Sequence, residues 1–190
     1  MAADNRTVIL THALRLFSAR GYDAAGVQEI VAAAGVAKPT LYHYFGSKAG
    51  LLEALLARYF EGLVARATEA AAYDHNITLT LRRVTEAYFS YAQAHPAFYR
   101  MQLAMVFAAP DSDPYRAVVD WQARQYAIIE DLFLRAADDH GNMRGRHRRY
   151  AVSLRGMIDT HIILWLNGHV TLDDELMRLA VHQFMHGIFS

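Results

Sequence analysis

Residues 21–52 constrain the fold more than any other stretch, because they hold two short helical patterns separated by a glycine. Val27, Ile30 and Val31 recur at helical spacing and are followed by three alanines that keep the helix surface slim. Gly35 can adopt the left-handed conformation that ends a helix and redirects the chain. Two short helices joined by such a turn predict a helix-turn-helix.

The helix after this turn combines a buried side with a polar side. Leu41 and Phe45 lie four residues apart and share one inward face. Pro39 fits the first turn of a helix, where its missing amide hydrogen is not needed. The outer face has little charge and suits contact with phosphates and base edges. Its hydrogen-bond donors are Lys38, Thr40, Tyr42 and His43.

The start of the next helix favours an anion. Ser47 is placed to cap this helix, and Lys48 lies in its first turn, where the helix dipole disfavours a cation. A phosphate bound there would offset this repulsion, since backbone amides and a lysine bind anions together. The alternative is that Tyr42 and Tyr44 are ordinary half-buried aromatics and that Lys48 is solvated.

These residues resemble the DNA-binding motif of the tetracycline-repressor-like (TetR) family of bacterial transcription regulators. The matching residues are a Gly-aromatic pair at 21–22, an Ala-Gly-Val turn at 34–36, Thr-Leu-Tyr-His-Tyr-Phe at 40–45 and Ser-Lys at 47–48. The resemblance implies a homodimer that binds a palindromic operator and releases it when a small molecule binds the C-terminal domain. Gly26 and Ala37 stand where the family usually has hydroxyl side chains, which removes two caps or phosphate contacts.

This resemblance implies a division of the chain into a DNA-binding domain at residues 1–47 and a ligand-binding and dimerisation domain at residues 48–190. We expect Gln28 and Thr40, and with less support Lys38, to read base edges, and the tyrosines, His43 and Lys48 to position phosphates. The DNA-binding candidates are Gln28, Lys38, Pro39, Thr40, Tyr42, His43, Tyr44 and Lys48.

Composition and periodicity predict an all-α protein with about nine helices. Hydrophobic residues make up 54% of the 190 residues, and only four residues are proline. Long helices are expected at about 47–73, 77–94, 115–139 and 150–167, and a shorter one begins at Pro96. A turn-rich break is expected at residues 110–114, and a last helix begins after Thr171 or Asp173.

The charge balance and the absence of cysteine argue against several classes of protein and of binding site. Lysine plus arginine equals aspartate plus glutamate at 19 each, which argues against a non-specific nucleic-acid coat protein. The absence of cysteine excludes disulfides and thiolate metal sites and suits a reducing compartment. No apolar run is long enough to span a membrane, and the N-terminus does not match a signal peptide. These features favour a cytoplasmic protein, and the resemblance further implies a bacterial one that is associated with the nucleoid when bound to DNA.

The last two helices form an apolar hairpin with wide hydrophobic faces. One face can pack on the core and the other on a second copy, which would complete a four-helix bundle with two-fold symmetry. The resemblance also implies a dimer interface at the last two helices. The alternative is that both faces pack within one chain. The interface candidates are Leu154, Met157, Ile158, His161, Trp165, Leu179, His182, Gln183 and His186.

Methionine and aromatic side chains are concentrated between the long linker helix and this hairpin. Such side chains can line an adaptable apolar pocket, although at helical spacing each one is more often part of a core. Together with the resemblance, they predict a site for an apolar or aromatic small molecule, with Arg124 among the groups that could orient it. The ligand-binding candidates are Tyr88, Met101, Met105, Phe107, Trp121, Arg124 and Tyr126.

Catalytic signatures are lacking. His182 and His186 lie four residues apart, which can present two imidazoles to a metal, but no glutamate stands between them in the metalloprotease arrangement. We therefore predict no metal, no cofactor and no enzymatic activity. The resemblance to the TetR family implies a ligand-responsive repressor. The alternative is a helical small-molecule-binding protein or an enzyme that does not bind DNA.

Overall fold

A computed structural model of the protein describes residues 4–187. Within that range the chain is entirely helical, as predicted, and contains no strand. The elements are α1 (Asn5–Arg20), α2 (Val27–Ala34), α3 (Lys38–Phe45), α4 (Lys48–Ala70), α5 (Ile77–Ala94), α6 (Pro96–Val106), α7 (Asp113–Ala136), a short 3-10 helix (Gly141–Met143), α8 (His147–Leu166) and α9 (Asp174–His186). None of these helices is long and apolar enough to cross a bilayer.

Helix ends follow local sequence signals closely. The Asp4 carboxylate accepts a hydrogen bond from the Arg6 amide at 3.3 Å and caps α1. The Asp173 carboxylate accepts from the Leu176 amide at 2.8 Å and caps α9, which selects Asp173 over the other predicted cap. Pro96 opens α6, because a proline at the first helical position sacrifices no helical hydrogen bond.

The predicted break at residues 110–114 is shorter in the structure. α7 already begins at Asp113, because Pro114 fits the first turn of a helix. The Ser112 hydroxyl accepts a hydrogen bond from the Tyr115 amide at 3.4 Å and occupies a capping position. α7 ends at Ala136, a few residues before the end predicted from periodicity.

The described chain divides into two compact units that do not follow sequence order. The first contains residues up to 61 together with 95–121, and the second contains 62–94 together with 122 onwards. The division predicted from the sequence, at residue 47, separates α6 from α1. In the structure α6 packs against α1 inside the first unit.

Aromatic rings fill the first unit where α4, α6 and the start of α7 meet. Phe60 packs edge-on against Phe98, with ring centroids 4.9 Å apart. The Trp121 ring lies parallel to Phe60 at 5.3 Å. Edge-on and offset-stacked pairs of this kind add about 0.5–1.5 kcal/mol each beyond the burial of their area. They therefore fix α6 and the start of α7 against α4.

The second unit is built from α5, α8 and α9, together with the C-terminal part of α7. α8 and α9 both pack against α5, and they also contact each other as the predicted hairpin. Its buried side chains include Leu81 and Val84 of α5 and Ile158 and Ile162 of α8, all 1% exposed or less. This packing leaves the opposite faces of α8 and α9 open to solvent.

Candidate nucleic-acid interface and effector region

The turn of the helix-turn-helix has the geometry that its sequence predicts. Gly35 has φ 65° and ψ 29°, the left-handed conformation that side-chain-bearing residues rarely adopt. Its amide donates to the Ala32 carbonyl at 3.2 Å, and the Val36 amide donates to the Val31 carbonyl at 3.0 Å. These two bonds satisfy carbonyls at the end of α2 and fix the direction in which α3 leaves.

Neither helix of this motif has a side-chain cap at its N-terminus. Gly26 and Ala37 occupy the capping positions of α2 and α3 in extended conformations, and no side-chain hydrogen bond is made there. Replacing a hydroxyl-bearing cap by alanine costs about 1 kcal/mol, while glycine costs a few tenths. At the start of α3, Pro39 has no amide hydrogen and the Thr40 amide donates to the Ala37 carbonyl at 2.9 Å, so a DNA phosphate there would be held mainly by side chains.

The two faces of α3 separate as expected. Leu41 is fully buried and Phe45 is 9% exposed, whereas Tyr42 and Tyr44 are 41% and 38% exposed. The Lys38 ammonium lies 5.8 Å from the Tyr42 ring centroid. Thr40 is half-buried, and the remaining candidates on α2 and α3 are exposed: Gln28, Lys38, Pro39 and His43. Apart from Pro39, whose side chain has no donor or acceptor, these side chains carry hydrogen-bonding groups that are at least partly open to solvent.

Lys48 occupies a defined position at the start of α4. Its ammonium lies 4.2 Å from the Tyr22 ring centroid and donates to the Asp23 carbonyl at 3.4 Å. Partial burial lowers the pKa of Lys48, although Asp23 and Asp113 act in the opposite direction. The predicted cap is confirmed, since the Ser47 hydroxyl accepts from the Gly50 amide at 2.9 Å. A phosphate contact by Lys48 stays a prediction.

Tyr22 joins the helix-turn-helix to the start of α7 within the first unit. Its hydroxyl donates to the Asp113 carboxylate at 3.1 Å, and the Lys48 ammonium lies over its ring. Burial, reinforced by this hydrogen bond, raises the pKa of Tyr22 well above the ordinary tyrosine value. The hydroxyl therefore remains a donor at every physiological pH, and this contact was not predicted from the sequence.

The ligand-binding candidates in the first unit fall into two groups. Met101 and Met105 are 2% and 4% exposed, and Trp121 is half-buried against Phe60. Phe107 is 86% exposed and lies outside the buried part of this group, and its role in ligand binding stays a prediction. The reason for this exposure is local, since Phe107 is the residue at which α6 ends, and its side chain leaves the buried face of that helix.

The remaining ligand-binding candidates lie in the second unit. Tyr88 is fully buried, Tyr126 is half-buried and Arg124 is exposed. The Tyr88 hydroxyl has no hydrogen-bond partner among residues 4–187. Burial raises the pKa of Tyr88 to about 12, so the hydroxyl stays protonated at neutral pH. Buried hydroxyls without a partner are uncommon in folded proteins.

A fully buried arginine beside Tyr88 was not predicted from the sequence. The Arg155 side chain is 0% exposed and pairs with the Asp159 carboxylate one turn further along α8. It also donates to the Gln125 side-chain carbonyl at 3.2 Å, and its guanidinium carbon lies 4.6 Å from the Tyr88 ring centroid. Burial raises the pKa of Asp159 more than Arg155 lowers it. We call Tyr88, Gln125, Arg155 and Asp159 the buried arginine cluster.

The dimer candidates divide between the inside and the outside of the hairpin. Leu154 and Ile158 are fully buried inside their own chain, so they have no surface left for a partner and the prediction is corrected for these two. Both residues lie on the buried face of α8. The sequence did not predict this, because a wide apolar face does not reveal which side is inward. Leu179 is 49% exposed. His182, Gln183 and His186 are also exposed, and Met157, His161 and Trp165 are half-buried.

The exposed side of α8 carries signals that were missed in the sequence. Val152 and Ile163 are 52% and 39% exposed. Gly156 lies between them in the middle of a regular helix, exposed, and an added side-chain carbon there would meet no atom within 4 Å. A mid-helix glycine costs about 0.5–1 kcal/mol relative to alanine. An exposed apolar stripe with a glycine at its centre suits close approach by another helix.

The two histidines of α9 contact each other, with ring centroids 4.6 Å apart. Among the described residues, no group of three or more histidine, cysteine, aspartate or glutamate side chains is placed to hold a metal ion. His161 is engaged within its own helix, since its Nδ1 donates to the Met157 carbonyl at 2.8 Å.

Comparison with known proteins finds one matching family model and several relatives of similar sequence. A family model described as bacterial regulatory proteins, tetR family, matches residues 9–55. The transcriptional activator FasR of Mycolicibacterium smegmatis is 30% identical over 187 residues, which cover 98% of this chain and 84% of FasR. The transcriptional repressor KstR2 of Rhodococcus jostii is 33% identical over 93 residues, which cover 48% of this chain and 46% of KstR2.

Solved structures agree with this assignment at the level of the fold. The transcriptional regulator FadR of Bacillus subtilis, determined in complex with stearoyl-CoA, matches with a TM-score of 0.80 at 19% identity. The match covers 96% of this chain and 98% of FadR. The helix-turn-helix and the similarity to FasR over most of both chains show that this protein belongs to the tetR family of bacterial regulatory proteins, which are transcription regulators and not enzymes.

Proposed function

We propose that this protein is a ligand-responsive transcriptional repressor that binds a palindromic operator as a homodimer and is released by a small apolar or aromatic effector. The observation that carries the proposal is the outer face of α3, where Tyr42 and Tyr44 remain 41% and 38% exposed on a helix whose other face is buried. Large aromatic side chains held in solvent beside hydrogen-bond donors suit a surface that is covered by another molecule.

In the proposed complex, α3 lies in the major groove and presents its N-terminal half to the base edges. Thr40 and Gln28 read bases, with Lys38 as a third candidate. Tyr42, His43, Tyr44 and Lys48 contact phosphates and hold the helix in register. Replacing a base-reading side chain should relax specificity at one position. Replacing a phosphate contact should weaken binding to all sequences.

The dimer is proposed to form through the exposed sides of α8 and α9. Val152, Ile163 and Leu179 supply exposed apolar surface, and Gly156 allows the helix backbones to approach. Two copies of this hairpin would form a four-helix bundle with two-fold symmetry. A symmetric dimer then presents two α3 helices to half-sites about one helical turn, or a small multiple, apart.

The effector site is proposed to include the buried arginine cluster, within the ligand-binding and dimerisation part at residues 48–190. The Tyr88 hydroxyl is a permanently protonated donor that lacks a partner among the described residues. An effector with one acceptor group would satisfy this donor, and its apolar body would replace water against buried side chains. Tyr126, in the same unit, remains a candidate for that apolar wall, and Met101, Met105 and Trp121 remain separate ligand-binding candidates of the first unit.

Release is proposed to follow from differential binding. An effector that binds more tightly to a conformation in which the two α3 helices are wrongly spaced lowers operator affinity by the ratio of its two affinities. A shift of about 1–3 kcal/mol corresponds to roughly 5–150-fold in operator affinity.

Selection of bound duplexes from a random pool tests DNA binding, symmetry and spacing together. We expect the wild-type protein to enrich duplexes that contain an inverted repeat. The Thr40→Ala variant should lose preference at one position in each half-site. A monomeric protein that enriches no duplex at low salt would contradict the proposal. Addition of effector candidates to the selected complex should then release the DNA, beginning with simple aromatic compounds and with stearoyl-CoA, the ligand of the FadR structure.

Activation is a second candidate for the regulatory outcome, because FasR is a transcriptional activator and matches this chain over most of its length. The DNA-binding geometry is the same in both cases, and the position of the operator relative to the promoter decides the outcome. A reporter gene behind the selected operator should fall in expression when the regulator is present. A rise would replace repression by activation and leave the DNA-binding proposal intact.

A further inference from the structure

A cavity of about 240 Å³ lies within the second unit, at the ends of four helices. Ile77 and Leu81 of α5 form one apolar wall. Another side is formed by one aromatic cluster of Phe133, Tyr150 and Phe184, whose rings contact one another with centroid separations of 5.5, 6.1 and 6.5 Å. No member of the buried arginine cluster lines this cavity, so it is separate from the proposed effector site.

The size of the cavity limits its occupant. An engineered protein cavity of about 150 Å³ lined by aliphatic and aromatic side chains binds benzene. Drug-sized ligands need about 300–1,000 Å³. The cavity therefore accommodates one six-membered ring with one or two small substituents. The aromatic cluster on one side favours an aromatic ring, because edge-on and offset contacts add to the burial of area.

One polar atom is left without a partner at this cavity. The His140 Nε2 atom is buried and makes no hydrogen bond within residues 4–187. The backbone at His140 is anchored, since its amide donates to the Ala136 carbonyl at 2.9 Å and its carbonyl accepts from the Met143 amide at 2.9 Å. A buried ring nitrogen needs a hydrogen-bonding partner to offset the free-energy cost of its desolvation.

The charges around the cavity select a neutral partner. The lining contains no lysine or arginine that would pair with a carboxylate. His140 is preceded by Asp138 and Asp139, which disfavour another anion. A hydroxyl group can donate to a ring nitrogen or accept from one, so it fits His140 in either tautomer.

From this geometry we propose that the cavity is an accessory ligand site for single-ring phenols, in which His140 Nε2 bonds the phenolic hydroxyl and the ring of the ligand packs between the aromatic cluster and the apolar side chains of α5. The proposal requires neither DNA binding nor the effector site described above. It assigns to the second unit a binding site with its own ligand chemistry.

Methyl NMR of the full-length protein locates the ligand directly. Met143 and Met185 line the cavity, whereas Met101 and Met105 lie in the first unit. Phenol and toluene differ by replacement of the hydroxyl with a methyl group. We expect phenol to shift the Met143 and Met185 methyl signals, to leave those of Met101 and Met105 unchanged, and to bind at least about tenfold more tightly than toluene. That ratio corresponds to about 1.4 kcal/mol.

Two variants test the assignment from different directions. Met143→Trp fills the cavity from the loop and should abolish the shift at Met185, while Arg144→Trp places the same ring on the exposed neighbouring residue and should bind phenol as the wild type does. His140→Leu should keep toluene binding and lose the preference for phenol. If Met143→Trp does not fold, the ratio of phenol affinity to toluene affinity in His140→Leu tests the proposal alone.

Three results would overturn the proposal. Equal affinity for phenol and toluene in the wild type would show that His140 does not recognise the hydroxyl. Shifts at Met101 and Met105 in place of Met143 and Met185 would move the ligand to the other unit. The absence of any methyl shift at saturating phenol would mean that the cavity holds only water. In each case the DNA-binding proposal would remain untouched.

Discussion

Replacement of Arg155 by methionine should destabilise the protein by about 3 kcal/mol at neutral pH. Removal of one partner from a buried ion pair typically costs about 3–5 kcal/mol, because the other charge is left without compensation. The Arg155 side chain is 0% exposed and Asp159 is 19% exposed, so Asp159 keeps some water and the cost falls at the lower end. The lost contact between guanidinium and Tyr88 is largely offset, since a methionine sulfur also packs well against an aromatic ring.

The size of this effect should depend on pH in a defined direction. Burial already raises the pKa of Asp159, and loss of the guanidinium raises it further. The folded variant then holds a proton at pH values where the unfolded chain, with a carboxyl pKa of about 4, has released it. Its stability therefore falls as the pH rises from about 4 through the folded pKa. The cost of the substitution should be small near pH 4 and largest at neutral pH.

Urea unfolding at fixed protein concentration measures this cost, because dimerisation makes apparent stability depend on concentration. The double variant Arg155→Met with Asp159→Leu should return to within about 1 kcal/mol of the wild type, since no unpaired charge remains. Arg149→Met changes an exposed arginine of the same helix and should stay within about 0.5 kcal/mol. A single-variant cost that is independent of pH, or a double variant as unstable as the single one, would refute the reasoning.

Three further predictions concern DNA binding, the effector and the dimer. Lys48→Ala should weaken binding to every duplex and reduce the slope of log affinity against log salt by about one, measured by fluorescence anisotropy. Arg58→Ala, elsewhere on α4, should leave the slope unchanged. An unchanged slope in Lys48→Ala would argue against a phosphate contact. Tyr88→Phe should leave unfolding free energy unchanged or slightly higher, since it removes an unpartnered hydroxyl, while raising the effector concentration for half-release about tenfold; a normal response would remove Tyr88 from the site. Gly156→Leu should shift sedimentation towards monomer, whereas a full dimer would place the interface elsewhere.

Local signals made much of the fold predictable from the sequence. Gly35, Pro96 and Asp173 each act through their own backbone or through an amide a few residues away, so their effects on helix ends need no knowledge of tertiary structure. The exposed face of α3 followed from the same kind of reasoning, because Leu41 and Phe45 fix which side is inward.

Tertiary placement was less predictable for equally physical reasons. Helical periodicity shows that a face is apolar, but it does not show which neighbour covers it. α6 packs against α1 although 75 residues lie between the end of α1 and the start of α6. Leu154 and Ile158 turn inward although they share a helix with the exposed Val152. Phe107 is exposed because its helix ends at that position, which helical periodicity did not show.

The buried arginine cluster shows where sequence reasoning stops and what the structure adds. Arg155 and Asp159 are four residues apart on one helix, a spacing that normally indicates a solvent-exposed pair. Gln125 is 30 residues away, and no pattern links it to Arg155. A buried ion pair is seldom more stabilising than apolar residues of the same size, so stability alone does not explain its presence. What the pair does is hold a guanidinium against the Tyr88 ring, beneath a hydroxyl without a partner among the described residues. That arrangement points to recognition of a polar group, and it makes α5, α7 and α8 the helices through which an effector would act.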